Sequence, residues 1–202
     1  MLTTTTAVPQ QAAASRRVKD APTRWAHWWM AGSFAVAYIT GDSETWRIVH
    51  VISGYIMLMA LGFRVLWALF GPASAGVRMW WQRAKATKQS LLGLVKPSNW
   101  QLRSITNTTI GLSIVAFLGL LPFLGLTGYF TWQEWFGDSI KELHELFGNV
   151  LLALAIAHVV AVLLACWVRK SNALRPMLDG KQAGAGPSLV KRNHAWLALV
   201  FS

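Results

Sequence analysis

Two histidines occur in a segment that is otherwise apolar enough to lie inside a lipid bilayer. His144 and His158 are fourteen residues apart, which is almost four helical turns, so both project from one helix face about 21 Å apart along the axis. A titratable imidazole is costly inside a bilayer and marks a candidate functional site there. An imidazole nitrogen at such a place can ligate haem iron or another metal, or hydrogen-bond to a neighbouring helix.

The composition indicates an integral membrane protein. The 202 residues are 54% hydrophobic and 13% charged, a balance that soluble domains of this size seldom have. Four segments approach the roughly 20 residues that a bilayer core requires, and they predict helices over 25–41, 46–70, 105–128 and 140–168. The first is interpreted as a retained helix and not a signal peptide, because it is crowded with tryptophan and no small-residue cleavage site follows it.

The net charge of +11 is explained by topology. Sixteen of the nineteen Lys and Arg residues lie in 1–24, 72–103 and the segment from 169 onward, whereas the two opposite connections hold six of the eight acids. The positive-inside rule therefore places both termini and the 72–103 loop in the cytoplasm. Nucleic-acid binding is not needed to explain the basic balance, and no recognition motif supports it.

These patterns predict an all-α fold, a four-helix membrane bundle with both termini cytoplasmic. The expected division is a cytoplasmic tail over 1–24, whose first fifteen residues are interpreted as disordered, a four-helix domain over 25–170, and a cytoplasmic tail over 171–202. The loop over 72–103 mixes basic and aromatic residues, which predicts either a helix on the lipid surface or a solvated loop. The single cysteine, Cys166, excludes an internal disulfide and a cysteine-rich metal site.

The predicted helix directions sort four histidines into two levels. His50 begins the second helix at the outer side, and His144 enters the fourth helix from outside, each six residues after an acid. His27 begins the first helix at the inner side, and His158 lies toward the inner side of the fourth. Two facing pairs of imidazoles across a four-helix bundle are what two bis-histidine haems require, because each iron takes one axial nitrogen from either side.

Small residues beside the histidines favour haem over the alternatives. A porphyrin needs room next to its ligand, and the positions four residues after His50 and His144 are Gly54 and Gly148. A hydrogen-bonded contact between helices would explain one isolated histidine, but two matched pairs favour ligation. Zinc fits less well, since two imidazoles without a nearby Cys or carboxylate fall short of its usual four ligands.

Two arginines are further candidates at the inner level. Arg64 lies within a predicted span, fourteen residues after His50, and a cation there needs a partner. A haem propionate would serve for Arg64, and equally for Arg24 just before His27. The alternative for Arg64 is that its side chain extends to the inner headgroups.

The chain resembles the bacterial cytochrome b561 family, which includes the b-type cytochrome subunits of nickel-iron hydrogenases. The resemblance runs from about Val18 to Lys181 and is carried by segments in a fixed order: VKDAPTRWAHWW, HVISGYIMLMALGFRVLWALFGP, LTGYF, ELHELFGNVLLALAIAHVV and NALRPMLDGK. In that family four helices hold two b haems, and the matching positions are His27, His50, His144 and His158. The chain departs from the family at Thr106-Asn107, where a His-Asn pair is common.

The resemblance implies a dihaem b cytochrome of the bacterial inner membrane that carries electrons across the bilayer to or from the quinone pool. The expected partner is a periplasmic redox protein, such as a c-type cytochrome or a dehydrogenase or hydrogenase subunit. One alternative is a stand-alone superoxide:quinone oxidoreductase of the same family. Another is a haem-free membrane anchor or transporter subunit, which a reduced-minus-oxidised absorption spectrum would distinguish.

Overall fold

The fold is known from a computed structural model. It describes residues 15–73, 75–95, 101–184, 186–190 and 192–200, without the side chains of 198–200. The disordered tail expected over 1–15 therefore lies outside the described residues, except for Ser15.

The described chain is mostly helical, as the composition predicts. Its elements in chain order are β1 (Ser15–Arg17), α1 (Ala21–Thr40), α2 (Arg47–Phe70), α3 (Val77–Gly93), α4 (Leu102–Trp132), α5 (Asp138–Arg169), α6 (Arg175–Leu178), β2 (Lys181–Ala183) and α7 (Ala195–Val200). The end of the bundle that holds the α1–α2 and α4–α5 turns is called the outer end below, and the opposite end, where α1 begins and α5 ends, is called the inner end.

Three of the long helices, α2, α4 and α5, are long and apolar enough to cross a membrane by length and composition. Four spans were expected, and α1 is the one that is not apolar enough to be counted. It is 20 residues long, but its first half holds three Trp, Arg24 and His27, which lower its mean hydropathy. It starts at Ala21, four residues earlier than predicted, because the Asp20 side chain accepts a hydrogen bond from the Thr23 backbone N–H at 3.3 Å and so caps the helix.

The long helices form two hairpins, α1 with α2 and α4 with α5, and α2 packs against α4. A small apolar core joins α2, α4 and α5, and many large apolar side chains face outward, as expected when lipid is the solvent. On the opposite side of the bundle, the Tyr38 hydroxyl of α1 donates to Asn149 Oδ1 of α5 at 2.9 Å. The core residues are Met57, Leu61, Leu121, Leu124 and Leu151.

The segments before α1 and after α5 meet at the inner end. Strand β1 pairs antiparallel with β2, and Val18 N donates to the Gly180 carbonyl at 2.8 Å. Gly180 has φ +79°, a conformation that favours glycine. The two tails predicted as separate segments are therefore joined on one side of the bundle. The assignment of that side to the cytoplasm stays a prediction.

The basic segment between α2 and α4 contains a helix. Gly71 ends α2, as its Gly-Pro sequence predicts, and α3 then packs along α4. Contact is close where Thr87 lies over Gly111, a position at which a Cβ would collide with the Thr87 hydroxyl. The helix buries none of its own residues fully, so it lies on the surface of the bundle.

Candidate functional site

Two histidine rings from different hairpins meet near the outer end. His50 lies in the first turn of α2 and His144 near the start of α5. Their ring centroids are 6.0 Å apart and their planes are nearly perpendicular, at 85°. The sequence predicted this pair from its equal depth alone.

Each ring of this outer pair is held through Nδ1 by a backbone carbonyl. His50 Nδ1 lies 2.8 Å from the Ala37 carbonyl oxygen, and His144 Nδ1 lies 3.1 Å from that of Leu124. A carbonyl only accepts hydrogen bonds, so both Nδ1 atoms carry the proton and both Nε2 atoms keep a free lone pair. Metal-binding histidines in proteins are oriented by such a hydrogen bond from the second nitrogen.

The surroundings of the outer pair fit a porphyrin. A Cβ built on Gly54 or Gly148 would meet no atom within 4 Å, so there is open space one turn from each ring. Within the described residues no group of three or more His, Cys, Asp or Glu residues could hold a metal ion. A haem needs only two axial ligands from the protein, because its macrocycle supplies the other nitrogens.

Gly128 of α4 is the point of closest approach to this pair. A Cβ at Gly128 would lie 2.8 Å from His144 Cε1 and 3.2 Å from its Nδ1, distances at which the ring would have to move. A glycine therefore stands where the His144 ring rests on α4. The LTGYF segment alone does not predict this contact, because it depends on how α4 packs against α5.

The inner pair consists of His27 and His158, whose rings are not in direct contact. His158 Nδ1 lies 2.8 Å from Ser113 Oγ of α4. His27 packs edge-on against its neighbour Trp28, with centroids 5.3 Å apart. Among the described ring contacts His27 and His158 do not touch, because His27 lies near the start of α1 whereas His158 lies well inside α5.

Two hydroxyl residues on α4 repeat the spacing of the histidines on α5. Thr127 Oγ1 lies 3.2 Å from His144 Nδ1, and Ser113 contacts His158 in the same way. Thr127 and Ser113 are fourteen residues apart, as are the two histidines, and the two helices run antiparallel. Sequence reasoning missed both hydroxyls, although the matched spacing on the neighbouring predicted helix was available as a signal.

The two arginines expected near the haems make contacts with the protein at the inner end. Arg64 is 9% exposed and donates from both terminal nitrogens to the Ala75 carbonyl at 3.3 and 3.2 Å. Its guanidinium stacks over the Trp80 ring of α3, 4.6 Å from the centroid. Arg24 donates to the Leu178 carbonyl. Contact of either side chain with a haem stays a prediction.

Cations gather around Arg64 at the inner end. The pKa of Lys19 is lowered to about 7, chiefly by burial and also by the positive charges of Arg83 and Arg64, against the opposing effect of Asp20. Asp20 is 1% exposed, and its Oδ2 accepts from Trp67 Nε1 at 2.7 Å. The inner end therefore concentrates positive charge in a partly buried setting.

Thr106 and Asn107, where the sequence departs from the pattern expected from the family resemblance, lie at the inner end of α4. Thr106 is buried, and its hydroxyl donates to the Arg103 carbonyl within α4 at 3.1 Å. The Asn107 side chain accepts a hydrogen bond from Arg169 of α5. Asn107 therefore ties the inner ends of α4 and α5 together, and no imidazole is present at this position.

Comparison with known proteins identifies a family. The family model described as prokaryotic cytochrome b561 matches residues 18–180, a range that contains all four long helices and all four bundle histidines. Neither the curated proteins nor the solved structures gave a significant match.

Proposed function

Because the chain belongs to the prokaryotic cytochrome b561 family, whose members are membrane-embedded b-type cytochromes that carry electrons, we propose a specific role for it within that function. It holds two b haems, one at the outer level and one at the inner level. It transfers electrons across the bacterial inner membrane between a periplasmic redox protein and the quinone pool, with both termini in the cytoplasm.

The observation that carries this proposal is the outer pair. His50 and His144 come from different hairpins, face each other at 6.0 Å between centroids and have both Nδ1 atoms engaged by carbonyls. Both Nε2 atoms are therefore available as axial ligands. The bound haem would supply one-electron chemistry, and the protein holds and orients the two imidazoles.

The inner site is proposed from His27 and His158, which lie about four turns further along the bundle. His158 is already oriented by Ser113, and His27 projects from α1 at the same end. Arg24 and Arg64 bring positive charge to this level, where a haem propionate would be stabilised. Two sites stacked in this way would carry an electron across most of the membrane.

The charge of the outer surface supports a protein donor. All six acids of the two outer connections are exposed, and none forms an ion pair among the described residues, where the recorded salt bridge is Arg175 with Asp179. Arg47, one of two cations there, packs over Trp132 at 5.1 Å. Such a surface attracts a basic docking face and repels an anion such as superoxide. The acids are Asp42, Glu44, Glu134, Asp138, Glu142 and Glu145.

Neutralising part of this surface should slow reduction by a protein donor. With Glu134→Gln, Asp138→Asn and Glu142→Gln combined, we expect the rate of haem reduction by a basic c-type cytochrome to fall about tenfold at low ionic strength. The unaltered protein should show the same loss as salt is added, because the attraction is screened. Stopped-flow absorbance of the haem bands measures both.

The matched control neutralises Lys141→Gln and Arg47→Gln on the same surface, which should leave reduction by the basic donor unchanged or faster. If the acid variant reacts with the protein donor as fast as the unaltered chain, and superoxide reduces the unaltered chain rapidly, the electron-transfer role is overturned in favour of a superoxide:quinone oxidoreductase.

A further inference from the structure

Helix α4 carries no histidine, yet it contacts both histidines of α5 through a side-chain hydroxyl. Thr127 Oγ1 lies 3.2 Å from His144 Nδ1, and Ser113 Oγ lies 2.8 Å from His158 Nδ1. Ser113 is 1% exposed and Thr127 5% exposed, so water does not replace either contact. The equal fourteen-residue spacing on the two antiparallel helices gives each level its own hydroxyl.

The single proton of each hydroxyl has a partner within α4. Ser113 Oγ lies 2.9 Å from the Ile110 carbonyl, and Thr127 Oγ1 lies 2.9 Å from that of Phe123 and 3.0 Å from that of Leu124. Serine and threonine in helices donate to carbonyls three or four residues earlier in this way. The hydroxyl oxygen then has lone pairs left to accept a hydrogen bond from the imidazole Nδ1–H.

We propose that Ser113 and Thr127 are positioning residues that hold the imidazoles of His158 and His144 in the Nδ1–H tautomer, with Nε2 presented to the haem, and that they tune the two haems separately. This inference rests on the proposed function. An acceptor on Nδ1–H makes Nε2 a stronger electron donor, which stabilises the oxidised iron and lowers the midpoint potential.

The two levels differ in how far they depend on the hydroxyl. His144 Nδ1 also has the Leu124 carbonyl at 3.1 Å, so it keeps an acceptor when Thr127 is changed. Ser113 is the sole hydrogen-bond partner recorded for His158 among the described residues. Removing the Ser113 hydroxyl should therefore have the larger effect.

The test is a spectroscopic redox titration of the purified, haem-loaded protein and of paired variants. Ser113→Ala should raise the midpoint potential of the inner haem and leave the outer one unmoved, and Thr127→Val should raise that of the outer haem by less. The hydroxyl-retaining variants Ser113→Thr and Thr127→Ser should keep the unaltered potentials. Each haem serves as the internal control for the other.

Loss of the inner haem in Ser113→Ala supports the inference if Ser113→Thr retains that haem, and overturns it if Ser113→Thr loses the haem as well. Unmoved potentials, or equal shifts of both haems in either variant, also overturn it. An unaltered protein without haem would overturn the proposed function together with the inference, whereas haem with unmoved potentials overturns the inference alone.

Discussion

Replacing His144 with alanine should remove the outer b haem and leave the inner one, so that the haem content of the purified protein falls by half. His158→Ala should do the reverse. The two losses are separable because the histidines lie at different depths of α5 and each engages its own hydroxyl on α4. Losing one axial ligand leaves the haem with a single protein bond, and weaker retention follows.

His194→Ala is the matched control for these variants. His194 lies outside the four-helix bundle and packs against the Trp67 ring at 5.3 Å between centroids, so its loss should leave both haems in place. Low-temperature absorption spectra resolve the two haem components. Loss of the same component in His144→Ala and His158→Ala would refute the separation of the two levels.

Gly128→Ala, which adds one methyl group to α4, should weaken binding of the outer haem almost as strongly as His144→Ala does. The new Cβ would lie 2.8 Å from His144 Cε1, so the ring must move away from α4 and lose its hydrogen bond to the Leu124 carbonyl. Loss of the hydrogen bond that orients a metal-binding histidine costs about 10- to 100-fold in affinity for the metal group. Titration of the haem-depleted protein with haem measures the loss.

Gly119→Ala on the same helix is the control, because its Cβ meets no atom within 4 Å. Both substitutions favour the helix by about 1 kcal/mol, so a difference between them isolates the steric effect on His144. An outer haem retained equally by the two variants would contradict the assignment of His144 as a ligand.

The sequence predicted the outer pair better than the inner pair, for a physical reason. The equal depth of His50 and His144 was predicted from the acid that lies six residues before each of them. The structure places their rings in contact. The depth of His27 was less well defined, because α1 begins four residues before the predicted span, at the Asp20 cap. Their roles as iron ligands stay predictions in both cases.

Contacts between elements were the part that the sequence could not supply. The hydroxyls of Ser113 and Thr127 are ordinary helix residues until α4 is placed beside α5. Arg64 was expected to contact a haem or the headgroups, but its contacts with Ala75 and Trp80 depend on the way α3 folds back. Periodicity and hydropathy describe one helix at a time, and these positions depend on two.

A count of b haem per chain tests the central claim most directly. The pyridine haemochrome assay on purified protein, set against its protein concentration, should give two haems, and the reduced-minus-oxidised spectrum should contain two components that titrate separately. A single haem would contradict the inner site formed by His27 and His158. The absence of haem would contradict the electron-transfer function and leave a membrane anchor or transporter subunit in its place.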